Sequence, residues 1–440
     1  MVYLLLLVEK WLIPFSFVMV LFCCIYVTFF TRAIQLRSLF KIFSLFFQKK
    51  KKPVREDQIT PRQALFTSMS TVVGLGNISG PVIAIQMGGA PALAGFLLTS
   101  LFGSAITFVE VSLALSFRKK GERGRNPVRG AMIYIERALS SRWAQFYAFC
   151  LMILLMFWSG SQANILAGIL EGMAIPTWMT GLLLLFPTAF VLVGGAKRIA
   201  RLSERIVPVM FLLYIGSMIT ILWLNQAQLP GALSLIFFPF RKGVFSKQMH
   251  LGALLSALHW GVARALQSNE CGVGTASIIH SMVDSSTPPH RQGILAMLSV
   301  YVDVVICLLT GLVILVTGVQ EHSLSGHPIA ILFGLFQDYF PTLGPLTLSL
   351  SAFLFAFGTT LGNSYNSQVC FQYLFRPQRI SIFYLLILLC IFAGSITHVS
   401  LIFKLIDVFI LPIVTIHLFS IIYLIRANPQ LVCKKSKEKV

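Results

Sequence analysis

The chain has 440 residues, 56% of them hydrophobic and 11% charged, with 35 Lys and Arg against 15 Asp and Glu and a formal net charge of +20. A soluble domain carries about 25% charged residues, so a chain this long with a mean hydropathy of +0.82 cannot hide its apolar surface inside a water-soluble shell. The positive charge does not make it a nucleic-acid binder, because the basic residues sit in short loops between apolar runs and form no separate domain.

Uncharged runs long enough to cross a bilayer, about 20 residues each, predict an all-α polytopic membrane protein with about 11 transmembrane helices. The expected spans are 9–31, 62–88, 90–117, 143–171, 176–195, 199–224, 249–279, 289–319, 345–373, 378–397 and 399–426. The first span follows an apolar leader, Met1–Lys10, with no basic region before it and no small-residue cleavage site after it. It reads as a retained helix (1–31) rather than a signal peptide. Cys23 and Cys24 within it read as packing, and none of the eight cysteines has zinc-site or disulfide spacing.

Residues 32–61 form a basic loop. Within it Arg32–Phe47 mixes basic and apolar residues at roughly helical spacing, which suits either a helix lying on an anionic leaflet or a solvated loop. Counting loop by loop, 29 Lys and Arg fall on the side of this loop and four on the other, with Arg264 and Lys404 inside spans. That bias makes the loop side cytoplasmic. The N-terminus is then expected outside the cytoplasmic (inner) membrane, residues 225–248 form an extracytoplasmic loop, and the basic tail 427–440 lies inside.

The second and seventh spans are interrupted. Ser70–Pro81 contains Gly74-Leu75-Gly76-Asn77, and Gln267–Thr275 contains Asn269-Glu270-Cys271-Gly272-Val273-Gly274. Glycine costs about 1 kcal/mol relative to alanine in a helix, so such clusters at mid-membrane depth predict unwound backbone. Unwinding is tolerated in a bilayer only where the segment is buried in protein or lines a polar cavity. There, freed amides can hold a carboxylate and freed carbonyls a cation. The plainer reading of the glycines is close helix packing. Each interruption opens a set of five spans, 62–224 and 249–426. An odd number gives the two sets opposite orientation, the 5+5 inverted-repeat plan.

These segments resemble the alanine/glycine:cation symporter family (sodium:alanine symporters). Ser70–Pro81 is similar to the family's GTVGTGNIAG, and Gly261–Thr275 to its GVARGLFSNEAGMGSA. Gly130–Glu136 resembles GGPMYYIE, Gln162-Ala163-Asn164 resembles QSN, Gly194–Ala200 with Glu204 resembles IGGIKRIA..TE, and Thr360–Tyr365 resembles TLLGWSYYGE. The resemblance runs in order from about residue 62 to 375. It implies the amino-acid/neurotransmitter-symporter fold, a small amino acid such as alanine or glycine (L or D) as cargo, and Na+ or H+ as the transported ion. The sequence departs from the family at Asn363, where a Trp is usual, and at Ser367-Gln368, where Gly-Glu is usual.

The substrate-binding candidates are Gly74, Gly76, Asn77, Gln162, Gly272, Thr359 and Asn363. Asn77 would ligate the cation through its oxygen, hold the carboxylate through its NH2, or satisfy unwound backbone. Gln162 is a substrate or gating contact by the resemblance, or a helix–helix bond. Ser70 and Val73 would offer carbonyls to the cation, and Thr359 and Thr360 hydroxyls, since hard cations prefer oxygen ligands. Arg264, Asn269 and Glu270 are structural or gating candidates. Glu110 reads as water-facing at a span end, Asp303 and Asp407 as partners for bases such as Lys404, and His259, His280 and His398 as polar contacts or proton relays. No cofactor and no metal beyond the transported cation is expected. A channel would line a pore with repeated polar rings. An enzyme would show HExxH, GxSxG or paired carboxylates. The polar residues cluster instead at the two interruptions, and none of those motifs occurs.

Overall fold

The structure, a computed structural model, describes residues 13–48, 58–118, 130–237, 251–284, 286–319, 328–375, 379–397 and 399–432. The Met1–Lys10 leader, the Lys49–Lys52 run, His398, Cys433 and parts of the 225–248 loop and of the tail lie outside these residues.

The described residues are helical. In chain order the helices are α1 (Ile13–Phe30), α2 (Ile34–Arg37), α3 (Leu39–Phe46), α4 (Pro61–Val72), α5 (Gly76–Gly88), α6 (Ala92–Ser116), α7 (Ala131–Ala138), α8 (Ser141–Glu171), α9 (Thr177–Val193), α10 (Gly195–Leu224), α11 (Leu229–Phe237), α12 (Leu251–Asn269), α13 (Thr275–His280), α14 (Pro289–Thr317), α15 (Pro328–Tyr339), α16 (Gly344–Leu374), α17 (Ile380–Ile396) and α18 (Val399–Ala427). Six of them are long and apolar enough to cross a bilayer unaided, and the bent pair α4–α5 passes the same test together. The expected spans fall on these helices. The unexpected ones, α7, α11 and α15, lie in connecting segments.

Local chemistry sets the ends that matter for the site. Thr60 and Gln63 form a reciprocal capping box at the start of α4: the Gln63 N–H donates to Thr60 Oγ1 and the Thr60 N–H to Gln63 Oε1, both at 3.1 Å. Pro61 occupies the first turn, where its missing N–H costs nothing. Within the basic loop, α2 and α3 present Leu36, Leu39, Phe40 and Phe43 outward while Ile42 is buried.

The two interrupted helices each open a set of five spans, and the sets pack as equivalents. The broken pairs meet through α5 and α12, the second spans through α6 and α14, and the third through α8 and α16. The cross-contacts also come in matching pairs: α12 with α6 against α5 with α14, and α18 with α8 against α10 with α16. Exchanging one set for the other thus maps packing onto packing, as a pseudo-two-fold arrangement requires.

Burial divides the helices. The apolar windows of α6 and α8 are 78% buried, whereas that of α10 is 28% buried. On α9, Leu183, Phe186, Phe190 and Val193 recur at helical spacing and are exposed, as a face solvated by lipid should be. Where lipid-like surfaces gain little by meeting, close van der Waals approach holds helices together. At the crossing of α8 and α17, a Cβ on Gly394 would fall onto the Gly160 backbone, so only glycine lets the two main chains touch there.

Candidate substrate and cation site

Helix α4 stops at Val72 and α5 starts at Gly76, with their axes bent by 43°. Val73 is extended (φ −85, ψ 93), so the amides that follow lose their helical acceptors. Side chains replace those acceptors. The Gly74 N–H donates to Asn77 Oδ1 at 3.0 Å, and the Leu75 N–H donates to Gln162 Oε1 on α8 at 2.9 Å. Of the roles open to Asn77, satisfying unwound backbone is the one its oxygen performs here, and the Gly74 amide is engaged rather than free. Gln162 likewise bonds the break directly.

Losing the helical pattern also frees carbonyls. Ser70 and Val73 both turn their oxygens toward Thr359 on α16, whose hydroxyl lies 3.1 Å from each. One hydroxyl hydrogen is shared between two carbonyls, so three oxygens converge where only one proton mediates. Helix α16 can approach this closely because it carries Gly358 and Gly362: a Cβ on the latter would fall on Thr71 Oγ1. Thr360 is fully buried and its hydroxyl has no partner among the described residues.

The second break spans the residues between Asn269 and Thr275. Its backbone turns through left-handed conformations at Glu270 (φ 52), Gly272 (φ 78) and Gly274 (φ 95), which glycine adopts without the Cβ penalty. Here donors satisfy the freed carbonyls. The Tyr147 hydroxyl donates to Val273 O at 2.6 Å, and His417 Nδ1–H donates to Gly272 O at 2.7 Å. A carbonyl only accepts, so that bond fixes the tautomer, and His417 Nε2 receives the Tyr134 hydroxyl. Glu110 is buried beside this ring, its carboxylate 3.7 Å from Nε2, and so does not face water as its place at a span end suggested. Thr275 donates its hydroxyl to Glu270, and Asn269 donates to Ser100.

Asp303 on α14 ties the breaks together. One carboxylate oxygen accepts from the Asn77 amide and from the Ser268 hydroxyl, the latter at 2.8 Å. Its other oxygen has no partner among the described residues, and the residue is fully buried. The expectation that Asp303 pairs with a base is therefore corrected. Its partners are an amide and a hydroxyl, one from each broken helix.

Between the breaks, α8 and α16 lies a cavity of about 60 Å³. Gly74, Gly76, Asn77, Gln162, Thr359 and Asn363 all border it, as do Arg264 and Glu270. Gly272 does not: it packs against Leu418 on α18. Ser70 and Val73 stand behind the lining, reached through Thr359.

A model of the sodium:alanine symporter family matches residues 3–439. The chain belongs to that family. It is therefore a multi-pass membrane transporter that couples an amino acid to a cation, and not an enzyme. Among its relatives, the sodium/alanine symporter AgcS of Methanococcus maripaludis is 29% identical over 409 residues, covering 90% of this chain and 88% of that protein. The putative sodium/proton-dependent alanine carrier YrbD of Bacillus subtilis is 31% identical, covering 93% and 86%. Among solved structures, MhsT in complex with L-phenylalanine superposes with a TM-score of 0.58 at 18% identity, covering 84% of this chain and 89% of that one, which shows a shared fold.

In this family member the small cavity adjoins a wider one of about 970 Å³, and Ser79, Ile83, Ile165, Arg264 and Gln267 border both. Arg264 Nη1–H donates to Gln267 Oε1 at 2.7 Å, and Gln267 Nε2–H reaches Asp407 on α18 at 3.4 Å. The guanidinium also lies over the Trp260 ring, 5.5 Å from its centroid. This chain of side chains stands between the two cavities.

Proposed function

We propose that the protein carries a small neutral amino acid, alanine or glycine in the L or D form, into the cell with sodium. The membrane is the cytoplasmic one, with the N-terminus outside and the C-terminus inside, as the basic loops favour. No cofactor takes part beyond the transported cation. The observation that carries this reading is the meeting of the Ser70 and Val73 carbonyls with the Thr359 hydroxyl, at the wall of a cavity between two unwound helices.

Sodium replaces the shared proton bond there, and Thr360, one residue on, adds a hydroxyl when the helix shifts. The carboxylate of the amino acid is drawn to the N-terminal end of α5 at Gly76, where the helix dipole is positive. Gly272 belongs to the substrate site through its backbone, once the second break moves. The wide cavity then opens outward, and Arg264, with Asn269 and Glu270 holding the second break, forms the gate between it and the site.

The test is uptake into vesicles reconstituted with the full chain. Labelled alanine or glycine accumulates under an inward sodium gradient, saturates, and shows counterflow. No sodium-dependent uptake of any small amino acid would refute the proposal. A second reading, coupling to protons, is favoured by one observation: the unpartnered carboxylate oxygen of Asp303 between the breaks. Uptake driven by a pH gradient in sodium-free buffer separates the two.

A further inference from the structure

Among the described residues, one hydroxyl, amide or charged side chain lining the small cavity has no hydrogen-bond partner. Each other hydroxyl, amide, carboxylate and guanidinium lining it makes at least one hydrogen bond within the protein. Thr71, Ser79 and Ser161 bond main-chain carbonyls of their own helices or of the break. Gln162 holds Leu75, Asn77 and Ser268 meet Asp303, Glu270 accepts from Thr275, Gln267 joins Arg264 to Asp407, and Thr359 bonds Ser70 and Val73. Asn363 lines the same cavity and is 1% exposed, yet neither its Oδ1 nor its Nδ2 has a partner among the described residues. A buried amide without partners is expensive, and it stands in the wall of the space the cargo enters.

The charged ends of a zwitterion have stronger partners in that space. The carboxylate has the N-terminal end of α5 at Gly76, and the lining also carries Glu270, whose charge is opposite to that of the ammonium. Asn363 follows Thr359 by four residues, one turn along the same face of α16, and is left for the cargo's side chain. An amide offers a donor and an acceptor together, and a hydroxyl matches both.

We propose that Asn363 reads a hydroxyl on the β-carbon of the cargo, so that the transporter prefers serine to its apolar isostere 2-aminobutyrate. This rests on the symport reading above and names a substrate within its class. Serine and 2-aminobutyrate have nearly the same shape and differ by a hydroxyl against a methyl, so the comparison isolates the hydrogen bonds. A site that pairs a substrate hydroxyl discriminates strongly against an analogue lacking it, because its own polar groups are then left unpaired.

The experiment is competition against sodium-driven uptake of labelled alanine in vesicles holding the full chain. Serine is expected to inhibit half-maximally at a concentration at least about tenfold below 2-aminobutyrate. In Asn363→Leu that ratio is expected to fall close to one or to invert. Equal or better competition by 2-aminobutyrate in the unaltered protein overturns the proposal while leaving symport standing. Absence of any sodium-driven uptake overturns both. The comparison in the unaltered protein decides the matter even where the variant fails to fold.

Discussion

The two broken helices face each other across one cavity and are repaired differently. At the first break the exposed groups are both amides and carbonyls: the Asn77 and Gln162 side-chain oxygens take the Gly74 and Leu75 N–H groups, and the Ser70 and Val73 carbonyls share the Thr359 hydroxyl. At the second they are carbonyls, and donors cover them: the Tyr147 hydroxyl and the His417 ring take Val273 and Gly272. The backbone differs as well. The first break has an extended residue at Val73 and no positive φ angle, whereas the second has three. The proposed cargo, a zwitterion with a cation, asks for donors and acceptors together, and the first break carries freed groups of both kinds while the second presents carbonyls.

Asp303 joins the breaks, so removing it should do the most damage. Asp303→Leu leaves the Asn77 NH2 buried without its acceptor and the Ser268 hydroxyl with only the weak Cys307 thiol at 3.5 Å, at about 1–3 kcal/mol each. Sodium-driven uptake is expected to fall by about 100-fold or more. A variant that still transports within a few-fold of the unaltered protein would show that the breaks hold their shape independently.

Next come two changes confined to the first break. Gln162→Met keeps the bulk and deletes the acceptor of the Leu75 N–H, for an expected loss of about 1–3 kcal/mol, read as a ten- to hundredfold drop in uptake. Thr359→Val keeps the shape and deletes the third oxygen of the proposed cation site. The sodium concentration for half-maximal uptake should rise about tenfold, while the dependence on amino-acid concentration at saturating sodium changes less. If both constants moved together, Thr359 would be acting on the whole break rather than on the ion.

Most of this architecture was legible beforehand. Uncharged runs located the spans because lipid excludes charge, and glycine beside Asn and Ser marked both interruptions because close helix packing accounts for the glycines but not for their polar neighbours. The site was legible in part. Asn77 was singled out by its place at the first interruption and Gln162 by the resemblance, but not the direction of their bonds, which depends on which backbone groups the unwinding strands. Asp303 and Glu110 carried the signal of an ionisable residue within a span, yet their partners lie far along the chain, at Asn77 and Ser268 and at His417. His417 and Tyr147 gave no signal. A histidine and a tyrosine in apolar helices look like ordinary packing until a left-handed turn brings carbonyls to them. Gly272 was placed at the substrate from its motif alone, whereas its neighbour in space is Leu418.

The smallest expected effect tests the comparison most finely. Tyr147→Phe removes the donor to Val273 O and nothing else, since the ring keeps its stacking on His417, 6.0 Å between centroids. A carbonyl has two lone pairs and tolerates under-satisfaction better than an amide tolerates losing its acceptor. The loss should therefore be about 1 kcal/mol, a few-fold in uptake and clearly less than for Gln162→Met. The two variants belong in one experiment, with sodium-driven uptake and thermal unfolding measured on the same preparations. If Tyr147→Phe proved the more damaging, the second break would be the one whose repair sets the geometry of the site. The first would then be the compliant partner, with the bend at Gly74 following the turn at Gly274.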